Sequence, residues 1–280
     1  MISIIIPTYN AEKSILELLK DIKKQTIKNY EIIIIDSSST DKTIEIARQF
    51  EVKVIIIPKT EFNHGLTRTL AGKKAKGNIV VYLTQDIIID DTDAIKNLIS
   101  FLKKDKNLSA VYGRQLPKKN ANPLSAHLRY FNYPNKSYIT DLKDKKIKGM
   151  RKIFFSNSFS AYKKKALKSI GWFNKAEISE DMDIIARLLL KGYKIGYCAE
   201  AKVFHSHNFS IKEEFERSMK QGRFCKNNQF VKKFGKAEIE GIKYFISGTK
   251  YLIKKEKILL IPGFILINLT KYISYLSERC

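Results

Sequence analysis

Glycine-rich phosphate signatures are missing from this chain: neither GxGxxG nor GxxxxGK[ST] follows an apolar run. That removes the backbone cradle of a dinucleotide-binding or P-loop enzyme. Cysteine is scarce. Cys198, Cys225 and Cys280 form an odd set without CxxC spacing, which argues against a structural zinc or a disulfide framework and fits a reducing compartment. Acidic residues are also few, 28 against 52 Lys plus Arg, for a net charge of +24. Such a surface attracts nucleic acid, anionic headgroups and phosphorylated substrates without choosing among them, and a solvated basic face from biased composition accounts for it equally. No RNP, helix-turn-helix or zinc-finger signature accompanies the charge, and no repeat is found. The opening MISIIIPTYN has no basic leader region or cleavage site and reads as a strand rather than a signal peptide.

What is present is enough apolar material for a packed core. Apolar residues make up 44% of 280, with 16 Phe and 14 Tyr, which predicts one α/β domain over residues 1–210 and a basic helical extension over 211–280. Short β-branched runs at 2–6, 31–35, 52–57 and 79–83 alternate with stretches of helical period, the pattern of a mostly parallel sheet flanked by helices. Ile15, Leu18, Leu19 and Ile22 make one apolar helical stripe. Ser39 or Thr40 is placed to cap a helix through Ile44 and Ala47. A helix over 179–191, a strand over 195–198 and a further strand ending at Phe204 complete the body.

Residues 118–152 are polar and contain Pro123 and Pro134, just after Pro117, so the segment reads as an irregular loop or lid of the kind that carries acceptor contacts. In the tail, ILLIPGFILINL is short of the roughly 20 apolar residues of a membrane span, and Pro262 and Gly263 interrupt it. It reads as a helix lying on an anionic membrane surface, or alternatively as one packed on the main domain or in a dimer. Oligomeric state is not legible.

In parallel α/β sheets ligands bind beyond the carboxyl ends of the strands. The polar residues there are Thr8, Tyr9 and Asn10, then Asp36 to Asp41, Glu61 to Arg68, and Thr84, Gln85 and Asp86. Together they offer what a nucleoside diphosphate needs: a ring (Tyr9), a carboxylate for the base (Asp36) and a cation for phosphate (Arg68). Asp86 suits a divalent ion, Mg²⁺ or Mn²⁺, through its oxygens. His205 and His207, at i and i+2 after a strand, point the same way; structural histidines are the alternative, and His127 has no evident partner.

ISIIIPTYN, IIIIDSSSTDKT, FNHGLTRTLAGKKAKGNIVVYLTQD and ISEDMDIIARLLLKGYKIGY, in that order, resemble the family-two glycosyltransferases over roughly the first 210 residues. FNHG with LTQD is similar to the rhamnosyltransferase branch, whose donor is usually dTDP-rhamnose. The resemblance implies a GT-A (nucleotide-diphospho-sugar transferase) fold and an inverting transfer from a nucleotide-diphosphate sugar to a saccharide or lipid-linked acceptor. It implies a donor site from Pro7, Thr8, Tyr9, Asp36, Ser38, Asp41, His64, Arg68, Gln85 and Asp86, and a metal at Asp86 completed by His205 or His207. Thr84 stands where the family more often has the first acid of an Asp-x-Asp, which leaves the metal requirement open. Asp181, with Glu180 beside it, is implied as the general base, against the alternative that SEDMD merely caps a helix. Arg223 in QGRF is placed either over the donor phosphates or on a basic helix face. Polysaccharide or cell-envelope assembly at the cytoplasmic face of the membrane is the implied setting; a nucleic-acid-binding or other basic interaction protein without transferase activity is the competing reading.

Overall fold

The β-branched runs become strands covered on both faces, and their odd and even residues feed two separate cores. The computed structural model describes residues 1–235 and 238–279; Cys280 lies outside the described residues. Along the chain run β1 (Ile2–Thr8), α1 (Glu12–Lys23), β2 (Tyr30–Asp36), α2 (Thr43–Ala47), β3 (Lys53–Ile56), α3 (His64–Lys74), β4 (Ile79–Leu83), α4 (Ala94–Lys103) and β5 (Leu108–Leu116). Then come α5 (Pro123–Asn132), β6 (Tyr138–Thr140), α6 (Met150–Ile153), β7 (Phe159–Lys163), α7 (Lys164–Ser169), α8 (Glu180–Leu190) and β8 (Lys194–Phe204). Four helices follow: α9 (Ile211–Asn227), α10 (Gln229–Lys232), α11 (Glu238–Lys254) and α12 (Ile261–Arg279). The sheet has eight strands in the order β3-β2-β1-β4-β7-β5-β8-β6. β7 runs antiparallel to β4 and β5, and β6 antiparallel to β8; the other pairs are parallel.

Ile4, Ile6, Ile32 and Ile34 face α1 and α4, whose stripes Ile15, Leu18, Leu19, Ile22 and Ile95, Leu98, Leu102 are buried with them. Ile5, Ile33 and Ile35 face the other way, into a core shared with Ala71, Tyr82, Ile184 and Leu188 of α3, β4 and α8. Each such aliphatic side chain contributes about 1.5–3 kcal/mol on burial.

Several expectations are corrected. β1 and β2 extend two residues and one residue beyond the expected ends, so Thr8 and Asp36 are the last residues of strands rather than loop residues. Residues 118–152 are not wholly irregular: Asn122 caps α5 through Ser125 N, and Pro123 occupies its first turn, where a missing N–H costs nothing. The two expected strands over 195–204 are one strand, β8, with a register shift opposite Gly113 and Arg114. Pro262 and Gly263 do not interrupt the tail either; they lie in the first turn of α12. Residues Ile258–Glu278 form a helix long and apolar enough to cross a membrane, with mean hydropathy 1.5 and 17% of its window buried. α12 also packs on α9: a Cβ on Gly222 would stand 2.2 Å from Tyr275 O.

Candidate active site

The carboxyl ends of β2, β1 and β4 place the first group of predicted residues side by side. Asp36 is fully buried; its carboxylate accepts from Thr8 Oγ1 (2.7 Å), Ser39 N (2.7 Å) and Ser39 Oγ (2.7 Å). Pro7 pairs with Ile35 in the β1–β2 register, one step before Thr8 and Asp36. Gln85 holds Tyr9 from both sides, accepting from its N–H at 2.8 Å and donating to its carbonyl at 3.1 Å. The Tyr9 ring carries Lys59 Nζ 4.5 Å from its centre. Ser38, at φ 59°, donates to Ile57 O at 2.8 Å and pins the loop to the end of β3. Asp41 joins two helix starts, accepting from Glu12 N at 3.1 Å and Thr43 N at 3.0 Å. Ser37 Oγ and Thr84 Oγ1, just after β2 and β4, are buried and make no hydrogen bond to the protein.

Asp86 gathers both predicted histidines. His205 Nε2 lies 3.3 Å from Asp86 Oδ1 and His207 Nε2 3.6 Å from Oδ2, with the two ring nitrogens 3.0 Å apart. The three ligand atoms all fall within 4.8 Å of one another. Lys118 Nζ, not anticipated from sequence, is 3.2 Å from Asp86 Oδ2. Burial alone would raise the Asp86 carboxyl, but the His205 hydrogen bond and the charges of His205, Lys118 and His207 outweigh it and hold it far below the carboxylate range. Burial lowers both imidazoles, against the pull of Asp86 and with Arg129 and Lys118 adding to the effect, His207 to about 4.

The donor set fits a divalent ion. Gln115 Oε1 lies 2.9 Å from His205 Nδ1 and accepts from Arg129 Nη1 at 2.7 Å, so with an ion bound His205 would keep its proton on Nδ1 and offer the Nε2 lone pair to the metal. Two imidazole nitrogens and one carboxylate are donors a divalent transition-metal ion accepts, whereas Mg²⁺ takes oxygen ligands.

FNHG builds the link to the second carboxylate cluster. Asn63 Oδ1 accepts from Gly65 N (3.1 Å) and Leu66 N (3.2 Å) at the start of α3, and from Ala176 N (3.0 Å) across the cleft. Gly65 permits that approach, since a Cβ there would lie 1.8 Å from Asn174 O. Arg68 is buried; its Nη1 donates to His64 O at 2.9 Å and pairs with Glu180 Oε1 at 3.3 Å, while His64 Nδ1 stands 3.4 Å from the same nitrogen. The cation expected near the diphosphate therefore sits against Glu180. Burial lowers the His64 imidazole, with Arg68 adding to the effect against the pull of Glu180.

Glu180 and Asp181 are driven apart. Burial would raise Glu180, but Arg68, His64 and the 3.0 Å hydrogen bond from Asn157 Nδ2 keep it ionised. Half-buried Asp181 is pushed up to about 7 by desolvation and by the charge of Glu180, against the Met182 N–H at 2.9 Å and the Asn157 N–H. Adjacent carboxyl groups with separated pKa values are the pattern of an acid–base site. The capping alternative fails for Ser179: it lies at φ 61°, its Oγ accepts from no N–H in the first turn of α8, and its hydroxyl donates to Gln221 Oε1 of α9. Asp183 is structural, bound by Arg187 Nε at 2.9 Å and Asn228 Nδ2 at 2.7 Å.

The loop 156–158 joins the two clusters, and no motif marked it. Ser156 Oγ accepts from Gln115 Nε2 at 2.8 Å, Asn157 reaches Glu180 and Asp181, and Ser158 O accepts from Thr84 N at 3.2 Å. Hydrogen bonds from Tyr9 to Gln85, from His205 through Gln115 to Ser156, and from Asn157 to Glu180 thus tie together the segments that carry Asp36, Asp86 and Asp181. Arg223 is elsewhere, paired with Glu278 at 2.9 Å on the exposed side of α9. His127, expected to lack a partner, stands 3.0 Å from Ser247 Oγ among the rings of Tyr244, Tyr251 and Phe131.

This fold and this strand-end site define a GT-A glycosyltransferase. The family model described as "Glycosyl transferase family 2" matches residues 3–171, and the chain belongs to that family. It is rhamnosyltransferase-like within it: it is 40% identical to the O-antigen chain rhamnosyltransferase RfbN of Salmonella typhimurium, over 98% of this chain and 88% of that protein. It is 41% identical to WbaN of Salmonella anatum, over 98% and 87%. Among solved structures, the mannosyltransferase PcManGT of Pyrobaculum calidifontis, in complex with GDP-Man and Mn²⁺, superposes with TM-score 0.69 at 16% identity, over 99% of this chain and 86% of that one. TarS 1-349 of S. aureus with UDP gives 0.60 at 17%, over 99% and 90%; these two likenesses concern the fold alone.

Proposed function

We propose that this chain is an inverting rhamnosyltransferase that moves rhamnose from a nucleoside-diphosphate donor onto a growing saccharide, carried on a lipid at the cytoplasmic face of the membrane. The observation that carries the reading is the separation of Glu180 and Asp181 beside a metal-type cluster on the same edge. The curated relatives named as O-antigen chain rhamnosyltransferases support the sugar and the acceptor class. Tyr9 and the loop shaped by Asp36, Ser38 and Asp41 hold the base; Pro7, Thr8 and Gln85 fix Tyr9. Asp86, His205 and His207 would hold a divalent ion, which when bound would supply positive charge for the departing diphosphate. Lys118 and His64 flank the same region and Arg68 keeps Glu180 ionised. Asp181 takes the proton from the acceptor hydroxyl as its oxygen attacks the anomeric carbon, and a single displacement inverts that centre.

Asp181→Asn retains the fold and nucleotide binding and loses about 10² to 10⁴ in transfer rate; near-normal turnover refutes the assignment. A thermal-shift panel of dTDP-, UDP- and GDP-sugars, each with and without Mn²⁺, identifies the nucleotide. Equal shifts with all three, or none, contradict a selective donor site.

A further inference from the structure

Proton transfer at Asp181 leaves Lys118 without a task, yet the lysine stands on the Asp86 cluster. Its ammonium lies 3.2 Å from Asp86 Oδ2, the oxygen that also faces His207 Nε2 at 3.6 Å. Its backbone is pinned there, because the Lys118 N–H donates at 3.0 Å to the hydroxyl of Ser206, the residue between the two histidines. Both side chains of the pair keep some access to solvent, 21% for Lys118 and 27% for Asp86. A partly open ion pair of this kind is weak and gives way to a stronger partner.

The charges around Asp86 are lopsided. It is the only carboxylate of the metal-type group among the described residues, and Thr84, two residues earlier, brings no charge. Three cations surround the group: Lys118 itself, Arg129, which reaches His205 through Gln115, and Arg217, whose Cζ lies 4.4 Å from the centre of the Phe209 ring that stacks on His207. Glu213 and Glu214, whose charges reach Arg217, are themselves held by Ser210 and Lys271. A divalent ion entering the cluster therefore meets one negative charge, and must take an oxygen that an ammonium already holds. A diphosphate supplies the missing negative charge and offers the lysine a second acceptor.

The geometry points to Lys118 as a coupling residue: it competes with the divalent ion for Asp86 and is released to the diphosphate of the donor, so that ion and nucleotide strengthen one another's binding. The inference rests on the donor and metal reading given under Proposed function. Lysine suits the task, since its ammonium is a point charge on a flexible four-carbon stem, and the coupling is reciprocal between the two ligands.

Two titrations of the full chain test it. Mn²⁺ binding is read by electron paramagnetic resonance of the free ion without nucleotide, and dTDP, UDP and GDP are titrated by calorimetry in saturating Mn²⁺. In Lys118→Met the two affinities are expected to move in opposite directions. Mn²⁺ binds the nucleotide-free variant about 3- to 10-fold more tightly than wild type, and the nucleoside diphosphate binds about tenfold or more weakly. A merely structural contact would lower both. Lys118→Gln serves as a second variant should the first unfold. Mn²⁺ affinity unchanged or lowered in the folded variant, or nucleotide affinity unaltered, overturns the coupling alone. A wild type that binds none of the three nucleotides overturns the transferase reading and the coupling with it.

Discussion

Asp181 sits where its own charge is disfavoured, and the reasons are local: partial burial and an ionised neighbour that Arg68 will not release. Because the folded pKa is raised, the linkage favours folding most at low pH and is lost as pH rises through about 7. Asp181→Asn removes that penalty, so its stability gain grows from about pH 4 to pH 7 and then levels, at a few kcal/mol or less. Chemical denaturation at pH 5 and pH 8 checks it; a loss of stability at pH 8 contradicts the account. Gln115 acts through His205, not on substrate. Gln115→Leu leaves the Nδ1 proton unheld, and Mn²⁺ affinity, read by electron paramagnetic resonance of the free ion, is expected to fall about 10- to 100-fold. A purely structural role would lower the melting temperature and leave that affinity unchanged.

Among elements, the start of α3 matters most to the proposed reaction, since its N-cap Asn63 also holds Ala176, in the segment that leads to Asp181. Asn63→Ala removes an acceptor shared by Gly65, Leu66 and Ala176. It is expected to cost about 0.5–2 kcal/mol and to reduce transfer without changing nucleotide affinity, measured by denaturant melts and titration calorimetry; unaltered turnover contradicts the linking role. The strands that carry β-branched runs, β1, β2 and β4, are legible because burial on both faces demands such runs. β5 and β7 are not: SAVYGRQL and FSAYK mix serine, glycine and charge, and their strand state comes from neighbours on both sides. α4 does carry a stripe, Ile95, Leu98, Ile99 and Leu102, although the expectations from sequence omit it. Pro123 and Pro262 mislead for one reason: proline is disruptive inside a helix and harmless in its first turn. The candidate site residues stand out in the sequence because they directly follow the legible strands β1, β2, β4 and β8 or fall in the FNHG and SEDMD segments. Gln115, Lys118, Ser156 and Asn157 do not, because they reach the site only through the sheet order.

For the whole molecule, the net charge of +24 and the exposed apolar side chains of α11 and α12 are the two features from which membrane binding is proposed. Binding to vesicles containing phosphatidylglycerol is expected, weakening between about 0.1 and 0.5 M salt as the screening length shortens. Equal binding to neutral and anionic vesicles in co-sedimentation contradicts an electrostatic contribution. The titration of Asp181 is read by the pH dependence of kcat/KM for rhamnosyl transfer. The profile is expected to rise with pH through a midpoint near 7, a rise absent from the residual activity of Asp181→Asn. A flat wild-type profile, or the same midpoint in the variant, would contradict it.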